Sequence, residues 1–378
     1  MMSEWKTYKL SELVEIKYGK DHKHLADGVI PVYGSGGIMR FAETHLYDRE
    51  SILIPRKGTL SNLFYLDKPF WSVDTMFYTK IKNGVHGKYL YYLLKSMDLA
   101  SMNVGSAVPS LTTEVLNKVE ISLPDLPTQR QIAQILTSLD DKIELNLQMN
   151  QTLEAMAQAI FKEWFVDFNF PGFDGELVDG LPKGWKVVEL SSLISVKDGT
   201  HDSPKQQQEG KYLITSKHLK NHFIDFSNAY KISDDDFNKV NKRSKVDRLD
   251  ILITMIGTVG NLYFVHESKI DFAIKNIGLF KASERPDLAY FLYFTIDSKE
   301  TSEYFIKRLA GSTQQYLTLE TLRQTPVLLP DYETLNTFNE YARTIYERID
   351  INSQNIQSLT QTRDTLLPKL ISGQLEVV

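Results

Sequence analysis

The chain has 378 residues, 42% hydrophobic and 24% charged, with a net charge of −5 and no cysteine. That length suits two domains rather than one core, and the missing thiols exclude disulfides, thiolate metal sites and a cysteine nucleophile. The mild acidity excludes a global basic field, so any contact with nucleic acid needs locally clustered Lys and Arg.

The chain opens WKTYKLSELVEIKYG at 5–19, and the same skeleton returns as WKVVELSSLISVKDG at 185–199. A second block, DRESILIPRKGTLSNLFYL at 48–66, returns as DRLDILITMIGTVGNLYFV at 247–265. A third, GSAVPSLTTEVLNKVEISLPD at 105–125, returns as GSTQQYLTLETLRQTPVLLPD at 311–331. Order is kept while the spacing grows, which is what two copies of one unit with unequal loops produce. Within each copy, ILI before Gly-Thr and then an apolar run predicts two buried strands around a tight turn. Polar, Gly-rich segments such as GKDHKHLADG, YGSGG and KDGTHDSPKQQQEGK separate such pieces, so each copy is expected to be mainly β with long loops.

After each third block the pattern turns helical. Apolar residues at Ile132, Leu136, Leu139, Ile143, Leu153, Ala157, Ile160 and Trp164 predict one helix over 128–168, with Thr128 and Gln131 as its capping box. Ile345, Ile349, Ile356, Leu359, Leu366 and Leu370 predict a second over 333–373, capped by Asp331, Thr334 or Thr337, kinked near Pro368 and closed by Gly373. Helices of about 40 residues, about 60 Å, bury their stripe most simply against each other. Asn146 and Asn352 occupy apolar slots at matching places, and an Asn to Asn contact setting the register of an antiparallel coiled coil is expected.

The expected class is α+β, with two pseudo-symmetric mainly-β domains at 1–127 and 185–332, each followed by its long helix, and a linker at 169–184. No apolar run reaches the length of a membrane span, and MMSEWKTYKL lacks the build of a signal peptide, so a cytoplasmic location without a membrane partner is expected.

This layout resembles the specificity subunit of type I restriction-modification systems. The resemblance covers the whole chain and rests on the Trp-Lys and Leu start of each half, PVYGSGG at 31–37, LPDLPTQRQIA at 123–133, the joint FNFPGFDGELVDGLPKGWK and DGTH at 198–201. The family's usual P-x-x-E-Q helix start stands here as Pro127 to Gln131 and is largely lost in DYETLNTFNE. The resemblance implies two target recognition domains, each reading half of a split site in double-stranded DNA, with the helices as spacer and docking surface. It further implies two methyltransferase subunits that modify adenine N6 with S-adenosylmethionine, and ATP- and Mg²⁺-dependent restriction and translocase subunits that cut. This chain itself would hold no cofactor.

Base edges are read by side chains that donate and accept, while Lys and Arg on phosphates supply affinity. The candidates for DNA contact in the first copy are Lys20, His22, Lys23, His24, Tyr33, Ser35, Arg56, Lys57 and Ser106. Those in the second are His201, Ser203, Lys205, Ser216, Lys217, His218, Gln314, Gln315 and Tyr316, the last three replacing Val108, Pro109 and Ser110 of the first. No methyltransferase, phosphate-loop or nucleophile-elbow motif occurs, so the chain is expected not to be an enzyme. Asp250 with Glu267 and Lys269 mimics a nuclease metal site, His218 and His222 stand at helical spacing, and Asp234 to Asp236 form an acidic run; each is read as structural, with no metal expected. The competing reading is a two-headed helical-rod scaffold that binds proteins without DNA specificity.

Overall fold

A computed structural model describes residues 5–105, 109–220, 223–226, 228–312 and 314–377. The chain divides into two compact units, 1–145 with 355–378, and 146–354. The division cuts both long helices, so each unit contains one β domain and two helical segments.

The two β domains have the same plan. In the first, an antiparallel sheet runs Val14–Tyr18, Met76–Ile81, Ser51–Pro55, Phe64–Leu66 in spatial order. In the second the order is Val196–Asp198, Ile277–Phe280, Ile251–Thr254, Leu262–Phe264. The repeated ILI triplets are the third strand in each case: Ile52, Leu53 and Ile54, like Ile251, Leu252 and Ile253, are wholly buried. A continuous apolar run is what a strand covered on both faces requires. A three-stranded sheet adjoins each: Gly37–Ala42, Asp27–Gly34, Trp71–Ser72 in one, and Lys231–Ile232, Lys211–Thr215, Phe272–Lys275 in the other, the last two strands parallel in both.

Each domain is closed by its two ends. Lys6–Lys9 pairs antiparallel with Glu120–Leu123, and Lys186–Glu189 with Pro326–Leu329. The Leu-Pro-Asp of the third repeat follows directly, and its Asp caps the outgoing helix. Asp125 accepts from the Thr128 amide at 3.0 Å, and Asp331 from the Thr334 amide at 2.9 Å and the Thr334 hydroxyl at 2.8 Å. The first helix therefore starts at Leu126, not at 128, and Asp125 replaces the expected Thr128 and Gln131 box. Pro127 then sits in the first turn, where its missing N–H costs nothing. The helix ends at Phe165 rather than 168, and Phe168 has φ of 59°. The second helix, Tyr332–Ile371, runs through Pro368 before Gly373.

Within each unit the helical segments run antiparallel. In the second, Trp164 meets Tyr341 edge to face while Asn150 meets Asn352, so one number rises as the other falls. A dense aromatic core forms there: Phe165 lies 5.0 Å from Phe338, 4.9 Å from Phe291 and 5.7 Å from Trp185 between ring centroids. In the first unit Ile132, Ala133 and Leu136 share a core with Leu370, and Asp140 accepts both from Arg363 at 2.8 Å and from the Tyr92 hydroxyl at 2.7 Å. Asn146 and Asn352 are both buried. The Asn352 amide donates to Asn150 at 2.9 Å, one turn beyond the partner expected for it.

Asp331 also accepts from the Trp185 indole at 3.0 Å, tying the start of the second domain to its end. Burial pushes its carboxyl up, but Thr334 and Trp185 outweigh this and hold it below the usual range. A depressed pKa means stability that is present above the unfolded value, near 4, and lost as pH falls through the folded one. Asp331→Ala is therefore expected to cost about 1 kcal/mol. Asp331→Asn should keep a capping oxygen while flattening the acid side of the stability curve, which thermal unfolding from pH 3 to 7 checks.

Candidate nucleic-acid interface

In each unit the candidate loops converge on one short backbone segment. In the first it is 71–76. The Gly19 amide donates to the Met76 carbonyl at 3.0 Å, Lys20 to Ser72 at 2.8 Å, Val73 to Tyr33 at 3.0 Å, and Arg56 to Thr75 at 2.8 Å. In the second it is 274–277. The Gly199 amide donates to Ile277 at 2.8 Å, Thr200 to Ile274 at 3.1 Å, and the Ser216 hydroxyl to Asn276 at 3.2 Å. Gly19 and Gly199 recur because the chain passes so close: a Cβ on Gly19 would lie 2.0 Å from the Val73 oxygen, and one on Gly199 2.5 Å from the Ile274 oxygen.

The Gly-Thr turn and the third repeat close the same end. Gly58 and Gly257 have φ of 92° and 85°, which a side chain resists. Lys57 pairs with Ser110 as Ile256 pairs with Tyr316, and the Leu111 amide donates to Arg56 as Leu317 does to Met255, each at 2.9 Å. The repeated Asn is a staple: Asn62 donates to the Ser35 carbonyl at 2.8 Å, and Asn261 to the Leu219 carbonyl at 3.2 Å. So 19–24, 33–37, 56–62 and 109–111 meet in the first unit, and 199–203, 215–220, 256–261, 310–312 and 314–317 in the second.

Among the first set of candidates, Lys20, Lys23, His24 and Lys57 are exposed, and His22, Tyr33, Ser35 and Arg56 are half-buried. Arg56 lies over the Tyr18 ring at 5.3 Å and donates to the Asp74 carbonyl at 3.3 Å. Tyr33 packs on Phe64 at 5.5 Å, and burial raises its hydroxyl pKa. His24 meets Trp71 edge-on. Ser106 lies outside the described residues.

In the second unit Gln314, Gln315, Tyr316, His201, Ser203, Lys205 and Lys217 are exposed and Ser216 is half-buried. His218 is not available to a ligand. It is 2% exposed, its Nδ1 accepts from the Thr215 amide at 3.1 Å, and burial followed by the Lys217 charge lowers its pKa. Its place at the start of a hairpin, Leu219–Lys220 against Phe223–Ile224, gives it a structural task; His222 lies outside the described residues.

Ser216, Lys217, Lys220, Thr258, Asn261 and Asn276 line an open hollow of 490 Å³ between the loops. Beside the 199–203 loop, Lys239 and Arg243 line a second hollow of 540 Å³ with Thr200 and Ser203. Asn276, Lys239 and Arg243 escaped the sequence reading. Asn276 has no marked neighbours in sequence, and the two cations sit on a helix, Asp234–Ser244, whose capped acidic start drew the eye instead.

The nuclease-like string is dispersed. Asp250 is wholly buried against the Lys281 ammonium at 2.5 Å and the Ser283 amide at 3.1 Å. Glu267 accepts from the Tyr263 hydroxyl, and Lys269 pairs with Asp271 at 2.9 Å. Asp234 to Asp236 form the first turn of a helix whose cap is Ser233. No described helix is long and apolar enough to cross a membrane.

A β domain present in two copies, each followed by a long helix and each with its loops gathered round one backbone segment, defines a duplicated α+β architecture. The family described as type I restriction modification DNA specificity domain matches residues 2–155 and 182–361, and the chain belongs to it. The MjaIX specificity subunit of Methanocaldococcus jannaschii is 28% identical over 314 residues, covering 78% of this chain and 71% of that one. The HindI specificity subunit of Haemophilus influenzae is 26% identical over 366 residues, with 78% of each chain covered. The type I restriction-modification S subunit from M. genitalium shares the fold at a TM-score of 0.63 and 14% identity, over 97% of this chain and 96% of that one. Family membership does not favour the two-headed protein-binding scaffold.

The close approach at Gly199 makes a direct test of the loop anchor. Gly199→Ala should cost about 1–3 kcal/mol because its neighbour is backbone and cannot swing away. Gly36→Ala, where nothing lies within 4 Å of the new methyl, should stay within about 0.5 kcal/mol in the same denaturant titration.

Proposed function

We propose that this chain is the DNA-reading, non-catalytic specificity subunit of a type I complex. Each unit reads one half of a split site in double-stranded DNA. Partner methyltransferase subunits, using S-adenosylmethionine, place the methyl group on adenine N6, and partner restriction subunits, using ATP and Mg²⁺, cut. The observation that carries the reading is the repetition itself: two copies of one anchor hold different side chains at the same loop tips, Gln315 and Tyr316 in one against Pro109 and Ser110 in the other. Two readers of different half-sites need a shared frame and unshared tips.

Chemistry supports the tips as readers. Gln offers the paired donor and acceptor that match adenine, Lys supplies point charges for phosphate, and Ser serves either purpose. The net charge of −5 implies modest, salt-sensitive affinity for the chain alone, with tight binding left to the assembled complex.

The test is co-expression with a candidate methyltransferase subunit, followed by sequencing-based mapping of methylated adenine. A two-part motif with an unspecified middle is expected. Replacing residues 1–127 by those of a relative should then change one half of the motif and leave the other. If no methyltransferase co-purifies and no adenine is methylated, or if both halves change together, the reading fails.

A further inference from the structure

Asn276 stands where the second unit's loops meet, and its backbone is in the left-handed region at φ of 54°. Its amide N donates to the Thr200 carbonyl at 3.2 Å and its carbonyl accepts from Ser216, so both neighbouring loops lock it in place. The corresponding residue of the first unit, two places past the carbonyl that crowds the repeated glycine, is Thr75. The feature is therefore private to one unit, as a reader of one half-site has to be.

The side chain is held too. His201 Nδ1 lies 2.8 Å from the Asn276 amide oxygen, and its Nε2 lies 3.0 Å from Asp198 Oδ2. Asp198 is 7% exposed, and its other oxygen accepts from Arg243. A carboxylate only accepts, so Nε2 carries its proton toward Asp198 and Nδ1 is left an acceptor; the Asn276 amide, whose oxygen and nitrogen exchange places by a half turn, satisfies it by donating one N–H. The imidazole then holds one polar atom of the Asn276 amide. The outer edge of that amide, one lone pair and one N–H, is left for a ligand in the hollow that Asn276 shares with Lys217, Lys220 and Thr258.

We propose that Asn276 is a specificity-determining residue of the second unit, reading the edge of an adenine base with an amide oriented by the Asp198 and His201 relay. An amide edge of this kind pairs with adenine N6 and N7 together, and with no other base in the same way. Lys217 and Lys220 stand beside it as phosphate contacts. His201 is a positioning residue: it touches the reader rather than the base.

The proposal rests on the DNA-reading function above, and the two fail separately. In the methylation assay with the full chain and its methyltransferase, the half-site that survives exchange of residues 1–127 belongs to the second unit. Asn276→Gly suits the left-handed backbone, so it removes the amide without strain. It is expected to keep the thermal unfolding midpoint and to relax an A·T pair of that half-site, with discrimination falling about tenfold or more. Asn276→Asp, which tolerates the same backbone but only accepts, should shift preference at that same position toward cytosine. His201→Ala should weaken preference at that position and at no other. A wild-type two-part motif retained at every position by the folded Asn276→Gly protein would overturn the proposal. A wild-type protein that directs no two-part motif would overturn the function on which it stands.

Discussion

Each unit depends on how its β domain is shut by its own first and last strands. The first and last strands pair, Lys6–Lys9 with Glu120–Leu123 and Lys186–Glu189 with Pro326–Leu329, and a Leu-Pro-Asp then turns the chain into a capped helix. Pairing the ends fixes the frame, and the Asp satisfies the amides that a helix start leaves open. In the second unit the Trp185 indole joins the same carboxylate. One ring and one carboxylate thus connect strand, helix and the aromatic core around Phe165 and Phe338. Loops that project from so closed a frame can vary without loosening it, which is the arrangement a family of readers needs.

Within the frame, backbone anchors hold the loops and side chains differ. The segments 71–76 and 274–277 receive the loops mostly through amides and carbonyls, with the Ser216 hydroxyl as a side-chain contact in the second, so the anchor constrains few of the side chains that the loops carry. Gly19 and Gly199 are the price of that contact, since only a missing Cβ lets the chains pass. The second unit adds the helix Asp234–Ser244, which brings Arg243 to Asp198 and Lys239 to the loop at 199–203. That helix carries three aspartates in its first turn and its cations toward its end, so its positive end is the one beside the loop.

Much of this was legible in the sequence because repetition exposes a scaffold. The ILI strands, the Gly-Thr turns, the long helices and their antiparallel pairing all followed from residues that recur. What escaped followed from physics that leaves no side-chain mark. The anchors read WSVDTM in one copy and IKNI in the other, because backbone groups of these segments do the bonding there. Thr128 and Asp125 are both good caps three residues apart, and only the path of the closing strand decides between them. His218 sits in a basic, polar run, yet its ring bonds a turn and is buried. Asn352 donates to Asn150, a partner one helical turn from Asn146 that spacing alone does not single out.

The central claim is that shared residues build the frame and unshared loop tips read DNA. The most direct measurement replaces Gln314, Gln315 and Tyr316 by Val, Pro and Ser, the tip of the other copy, and maps methylated adenine and thermal unfolding on the same protein. The claim predicts an altered second half-site, an unchanged first half-site and an unfolding midpoint near that of the parent. A folded variant that directs methylation to the parent's motif in both halves would contradict it.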